Sequence, residues 1–469
     1  MEGRLESLVN GYREQLGIPE RTRPGELPLD EADAVLVACA DSFRSGDGPP
    51  LECLLRFLDQ EAEGVVAGVN LRDVSPGDDR QLDPALGEWE HIEALSDEFS
   101  LMVDLDLRRT DAVSGDPGAL LELVRRFLAF VTNGARIIRL EPPEPDAGGD
   151  ARHVHAAVKL LRAVSDDVAP WVVLVADTHS GDEGGLEYFG DGTDEAHLVS
   201  APALAALTLD AFVRGDGTSL RAWAETRAPR SSVASFYNYL DSHDGMALGP
   251  ARSMMGGDRV SSLVAVAEER GGHAGYRQTS AGEIADRLHV SVLNAVVNTA
   301  LPDAQRAEVC LAAHSIMLSL AGVPGIYYHG LIGSEDPHGS LDLDALSAEL
   351  NEEGSLRNHV FDGYKELLRA RASSPAFAPC ASQTVIEAPK EVFALLREAA
   401  GEDERVLCLV NLAEREAQFT CSADALALGE ERGFREIISG DYVYPTHEAG
   451  SRISLELQPY EVMWLRYGR

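Results

Sequence analysis

The sequence predicts an α/β protein, a TIM-type (β/α)8 barrel followed by a C-terminal all-β domain. Three observations carry that prediction. From Asp33 onward, short apolar runs alternate with longer amphipathic stretches, the pattern of strand-helix units around a parallel sheet. Eight such runs can be counted, enough to close a barrel. After residue 376 the runs become short and closely spaced without intervening helical stretches, which reads as antiparallel β structure.

Residues 1–32 are expected to form a helical lead-in, and residues 33–376 the barrel. Its strands are read in "DAVLVACA", "GVVAGVNL", "LMVDLDL", "RIIRLE", "WVVLVADT", "HLVSA", "VASFYNYL" and "VPGIYYHG". A strand covered on both faces is apolar along its whole length, as these are. Most are followed by helix-like segments such as "PGALLELVRRFLAFVTNGA" and "ARHVHAAVKLLRAVSDDVAP", whose apolar positions recur with helical spacing. Residues 377–469 form the C-terminal domain, a β-sandwich read from "EVFALLRE", "RVLCLVNLA", "AQFTCSA" and "ISLELQPYEVMWLRY".

Composition sets outer limits on function. Asp and Glu number 78 against 40 Lys and Arg, a formal charge of −38, and the only lysines are Lys159, Lys365 and Lys390. Such a surface repels nucleic acid and anionic membranes. It also suits a salt-loving source, because concentrated salt screens the self-repulsion; an acidic protein from a GC-rich genome gives the same composition. No apolar run is long enough to span a bilayer, and "MEGRLESLVN" lacks the basic start and apolar segment of a signal peptide, so a cytoplasmic location is expected. The six cysteines have no CxxC spacing and read as reduced core residues.

Chemistry in a barrel of this kind is sought at the C-terminal ends of the strands. Those ends carry Asp104, Asp106, Arg108 and Arg109 on strand three, Arg139 and Glu141 on strand four, and Asp177 on strand five. Strand seven ends in His243 and Asp244. Paired carboxylates at a controlled gap cleave glycosidic bonds, one attacking or stabilising the sugar cation while the other, protonated, donates to the leaving oxygen. No HExxH, Walker loop, GxSxG or strand-linked GxGxxG competes with that reading. In so acidic a chain, some carboxylates also fall near any opening by chance. His153, His155 and His314 lack a second ligand at metal spacing, and Trp89, Trp171, Trp223 and Trp464 read as core residues. Tyr327 and Tyr328 stand near the end of strand eight.

The segments "GYREQLGIP", "FRSGDGPPLECLLRFL", "LDPALGEWEHIEAL", "NGARIIRLE", "LEYFGDGTDEAHLV", "YNYLDSHDG", "LAGVPGIYYHGLIGSEDPHG" and "GSLRNHVFDGYKELLRAR" together resemble the sucrose phosphorylase group of the α-amylase family, glycoside hydrolase family 13. The glucosylglycerate phosphorylase-like members look nearest. The resemblance implies a retaining α-glucosyl transfer in a barrel with a loop domain inserted after strand three. It places Glu141 at the nucleophile position, where the family has Asp. Asp177 falls at the acid/base position, where the family has Glu, and Asp244 at that of the transition-state stabiliser. Arg139, His243, Asp104, Arg109 and Tyr328 fall at substrate-binding positions, and no metal is implied. Arg108 and Arg109 replace an Asn-His pair, and Arg109 is expected to pair with Glu141.

The inserted domain is expected to be absent, since only "TDAVSGD" joins strand three to its helix. After strand two, "SPGDDRQLDPALG" lacks the family's "GF" and "DY" elements. "GSEDPHGSLDLDAL" looks shortened where acceptor residues lie. These departures favour a catalytically degenerate member, a pseudoenzyme, that keeps a sugar-binding or partner role. The alternative is an active retaining α-glucosyl phosphorylase or hydrolase acting on sucrose, glucosylglycerate or a similar small α-glucoside. It would need no cofactor, and inorganic phosphate would be co-substrate for a phosphorylase. The partners expected are a small α-glucoside or sugar ligand, and a second copy of the chain or an active homologue.

Overall fold

The computed structural model describes all residues except 1, 17–24, 47, 75–81, 110–113, 144–149, 179–181, 280–281, 298–299, 402–403, 429–432, 449–450 and 469. Eight parallel strands close a barrel in chain order: Val35–Cys39, Gly68–Arg72, Ser100–Asp106, Ala135–Glu141, Val173–Ala176, Leu198–Ser200, Ser235–Asn238 and Val323–Tyr327. Each falls within or overlaps one of the eight apolar runs. The first strand pairs with the second and the eighth, closing the ring.

Local chemistry fixes where the helices begin. Asp116 accepts from the Ala119 amide at 2.8 Å ahead of the helix Pro117–Thr132, and Asp150 accepts from the Arg152 amide ahead of Ala151–Val168. Such caps satisfy amides that the helix itself leaves unpaired. Both helices bury one apolar face on the barrel, and the first helix, Glu2–Arg13, seals them from outside through Val9 and the flanking Leu5, Leu8 and Tyr12. One glycine is required by space. A Cβ on Gly322, at φ +122°, would lie 2.3 Å from the Phe236 carbonyl oxygen, so strand eight can enter beside strand seven only without a side chain there.

Side chains inside a barrel come from alternate positions of each strand. The lower interior is apolar, built from Val35, Met102, Ile137, Val173, Val175, Leu198, Tyr237 and Val323. The next inward positions up the same strands are Asn70 and Arg72, Asp104 and Asp106, and Arg139 and Glu141. The barrel interior thus changes from oil to charge towards its C-terminal mouth.

Between strands seven and eight the chain adds an antiparallel sheet, with a hairpin of His273–Thr279 and Gly282–His289 extended by Met246–Ala247. The sequence reading contained no such element. Between strand three and its helix stand only residues 107–116, of which 110–113 lie outside the described residues.

The C-terminal domain stacks two antiparallel sheets. The larger has the order Ser382–Val385, Val392–Glu398, Glu404–Asn411, Val462–Gly468, Phe434–Glu436 and Tyr442–Val443; the smaller has Ala417–Ser422, Arg452–Leu457 and Thr446–Glu448. One face of the larger sheet shares a core with the smaller. The other joins the barrel core through Phe393, Val406 and Trp464, with Trp464 against Phe377 at 4.8 Å between ring centroids.

Two fully buried arginines fasten this junction at the floor of the barrel. Arg371 donates to the carbonyls of Glu31, Gly322 and Phe377. Arg397 donates to those of Ser319, Ala378 and Ala381. Ser235, at the foot of strand seven, donates to the Pro379 carbonyl at 2.6 Å.

Candidate functional site

Register places the site. Asp104 lies opposite Arg139 and Asp106 opposite Glu141 on neighbouring strands. Arg139 lies opposite Val175, which brings Asp177, two residues further on, over the same opening. All point inward because inward positions recur every second residue.

Arg139 is the hub. Its Nε and Nη2 donate to the two oxygens of Asp104, each at 2.7 Å. Nη2 also reaches Glu141 Oε1 at 2.6 Å, and Nη1 reaches Asp177 Oδ2 at 2.5 Å. Burial alone would lower the pKa of this guanidinium, but Asp104, Asp177 and Glu141 outweigh it and hold the pKa well above the ordinary value. Burial likewise opposes ionisation of Asp104, and Arg139 overrides it, bringing that carboxyl down to about 2. Asn70 adds a donor to Asp104 at 3.2 Å.

Glu141 is engaged on both oxygens. Oε1 accepts from Arg139 and Oε2 from Arg108, while Arg72 stands 3.8 Å from both Glu141 and Asp104. Arg108 itself is clamped by Asp106, the main cause of its raised pKa. Among the described residues, the strand-three cation that meets Glu141 is Arg108. Arg109 closes the 3-10 turn Leu107–Arg109, and its side chain lies outside the described residues.

Strand seven supplies a separate pair. His243 Nε2 is 3.3 Å from Asp244 Oδ2, and His243 Nδ1 is buried with no hydrogen-bond partner. Burial, then the nearby Arg72, lowers the His243 pKa, which keeps the ring neutral near pH 7. Asp244 is half exposed and pairs with His243, not with any of the three arginines. Its backbone carbonyl accepts from Arg287 at 3.4 Å.

The structure thus gathers Asp104, Arg139, Glu141 and Asp177 into one hydrogen-bonded cluster, places His243 close by, and leaves Asp244 outside its ion pairs. Tyr328 stands elsewhere: it is 2 % exposed, packs on Phe43 and donates to the Gly339 carbonyl at 2.6 Å. Strand eight ends at Tyr327, and Tyr328 opens a short helix, which turns it into the core. The expectation for Trp89 is corrected, since it is 47 % exposed while Trp223 and Trp464 are buried. His155 pairs with Glu195 at 2.7 Å.

Arg72 is the site residue that the sequence reading missed. The available signal was parity: in "GVNLR", Arg72 shares a face with Asn70 and Gly68. Among the described residues, no group of three or more His, Cys, Asp or Glu is arranged to hold a metal ion, and no helix is long and apolar enough to cross a membrane.

Chemically, the cluster offers carboxylates held by guanidinium groups, Glu141 through both oxygens and Asp177 through Oδ2. A nucleophilic carboxylate needs an oxygen free to approach the anomeric carbon, and a general acid needs a proton to give. Glu141 and Asp177 instead accept from guanidinium groups.

A scan against protein-family models finds no match. The chain is 34% identical to a glucosylglycerate phosphorylase of Spirochaeta thermophila over 556 aligned positions, covering 98% of this chain and 94% of that protein. It is 29% identical to a glucosylglycerate phosphorylase of Allomeiothermus silvanus, covering 88% and 89%. Among solved structures, the α-amylase from H. orenii superposes with a TM-score of 0.66 at 15% identity, over 94% of this chain and all of that one. The sucrose 6F-phosphate phosphorylase from Thermoanaerobacter thermosaccharolyticum superposes with a TM-score of 0.64 at 15% identity, over 82% and 94%.

Proposed function

Because this chain belongs to the sucrose-phosphorylase-like group of the α-amylase family, glycoside hydrolase family 13, we propose that it descends from an α-glucosyl phosphorylase and no longer transfers glucosyl groups. It keeps a charged barrel mouth as a site for a small sugar or polyol, and it acts as a binding or partner protein, with a second copy or an active homologue as the partner. The observation that carries this reading is the guanidinium clamp. Glu141 accepts from Arg139 and Arg108, and Asp177 accepts from Arg139 at 2.5 Å.

Two further features support it. The alignment with the Spirochaeta relative runs to 556 positions against the 469 residues here, so that protein carries segments with no counterpart in this chain. Strand three also reaches its helix within residues 107–116, a connection too short to hold an inserted domain.

One observation favours the rival reading of an active enzyme. The Arg108 side chain is 46% exposed, and an exposed ion pair holds weakly enough for a substrate to displace it. In that case Glu141 is the nucleophile, Asp177 the acid/base and Asp244 the stabiliser, with inorganic phosphate as co-substrate of a glucosylglycerate- or sucrose-type phosphorolysis.

Turnover of α-glucosyl fluoride, sucrose and glucosylglycerate, with and without phosphate, in low and high salt, separates the two. No release above the buffer rate is expected. Turnover that vanishes in Glu141→Gln would establish the active enzyme instead.

A further inference from the structure

We propose that the C-terminal domain carries a second ligand site, a groove that binds a small phosphate-bearing sugar between Arg435, Arg466 and Tyr442. It is independent of whether the barrel turns substrate over.

The groove, about 400 Å³ in volume, is lined by Glu404, Gly433, Arg435, Tyr442, Arg466 and neighbouring residues. Its floor is one row across the larger sheet: Arg466 lies directly opposite Arg435, and Arg435 directly opposite Tyr442. Opposed residues in antiparallel strands project to the same side and lie close together, so like charges there repel. Among the described residues, no carboxylate lies within ion-pair distance of either arginine. Arg435 is exposed and Arg466 half-buried, and the chain around them holds 78 acidic residues against 40 basic ones.

The remaining lining fits the same ligand. Tyr442 is 65% exposed and Tyr444 70%, two of the few large apolar side chains left in water. Tyr444 packs against the lining residue Gly433, where an added Cβ would come within 2.8 Å of its ring. Glu404 is held by Ser374 at its other end, and two guanidinium groups outnumber it. Adjacent guanidinium groups match the several oxygens of a phosphate, which accept charge-assisted hydrogen bonds. An exposed phenol ring offers an apolar face to a sugar's C–H side. The volume falls within the roughly 300–1,000 Å³ of small-molecule sites, which favours a compact anion over a peptide.

Titration calorimetry on the full chain at low ionic strength tests this, with glucose 1-phosphate, inorganic phosphate and glucose as probes. Glucose 1-phosphate is expected to bind more tightly than inorganic phosphate, and any heat from glucose should be untouched by the paired arginine change below. The paired change Arg435→Gln with Arg466→Gln should weaken binding roughly tenfold or more. Tyr442→Ala should weaken glucose 1-phosphate several-fold and leave inorganic phosphate unchanged, while Asp244→Asn at the barrel mouth should change neither. The paired variant should melt no lower than the parent, since it relieves a repulsion, and should lose the rise in melting temperature that the ligand gives the parent. Binding unchanged in the paired variant, loss that follows Asp244→Asn instead, or no binding by any phosphate compound would overturn the proposal. Arg466→Gln alone carries the same test if the paired variant fails to fold.

Discussion

Arg139 Nη1 lies 2.5 Å from Asp177 Oδ2, so the Asp177 carboxyl accepts a bond from a cation fixed on the neighbouring strand. The same guanidinium also serves Asp104 and Glu141. Removing it leaves three buried or half-buried carboxylates without their main counter-charge. Arg139→Met is expected to cost about 3–5 kcal/mol in urea unfolding. Adding Asp104→Asn, Glu141→Gln and Asp177→Asn to it should recover most of that loss, because neutral groups need no counter-ion.

Arg108 is the loosest part of the clamp, half in solvent and bonded to Asp106 and Glu141. Arg108→Ala is expected to change unfolding free energy by less than about 1 kcal/mol. It should free Glu141 Oε2 and remove a positive charge from the mouth, so a cationic sugar mimic such as 1-deoxynojirimycin should bind roughly tenfold tighter. Calorimetry on parent and variant reads this directly, and equal affinities would show that Arg108 does not occupy the sugar position.

Asp241 introduces a pH dependence. Burial pushes its carboxyl up to about 7, and its Oδ2 has no hydrogen-bond partner. The folded pKa exceeds the unfolded one, so the folded state holds the proton between about pH 4 and 7 while the unfolded chain has released it. The contribution is present in full below about pH 4 and lost as pH rises through 7. Asp241→Asn should therefore match the parent near pH 4 and exceed its stability at pH 8 by roughly 2–4 kcal/mol, as read by urea unfolding at the two pH values.

Net charge predicts a salt response. Screening shortens from about 10 Å at 0.1 M to about 3 Å at 1 M salt, and a chain of formal charge −38 gains by it. The melting temperature should rise by several degrees over that interval in sodium chloride. A flat or falling profile would show that the surface acids are already balanced locally.

The barrel was legible because parallel strands buried on both faces leave uninterrupted apolar runs, which few other elements produce. The hairpin His273–Thr279 and Gly282–His289 was not, because it faces solvent on much of both sides and "HAGYRQTSAGEIADRLH" has neither alternation nor an apolar run. At the site, the residues on strands three, four and five could be named because inward parity follows directly from the runs. Parity also predicts Arg72, but a strand whose run ends at Leu71 hides the next inward residue. Beyond a strand's last residue, parity fails. The 3-10 turn after Asp106 presents Arg108 to Glu141, and the helix beginning at Tyr328 carries that ring into the core.

The segments "TDAVSGD" and "SPGDDRQLDPALG" were read as lacking family elements. Their central parts, residues 110–113 and 75–81, lie outside the described residues. Around them stand the short path from Asp106 to Pro117 and the charged ring of Arg72, Arg108 and Arg139.

Among the described residues, Arg371 and Arg397 bond only to backbone carbonyls, at the end of the barrel away from Glu141 and Asp177. A carbonyl is present whatever residue bears it, so these fastenings tolerate almost any neighbouring substitution. Inheritance can then rewrite the charged rim residue by residue while the architecture persists. A scaffold locked from beneath leaves its charged rim free to change without loss of the fold.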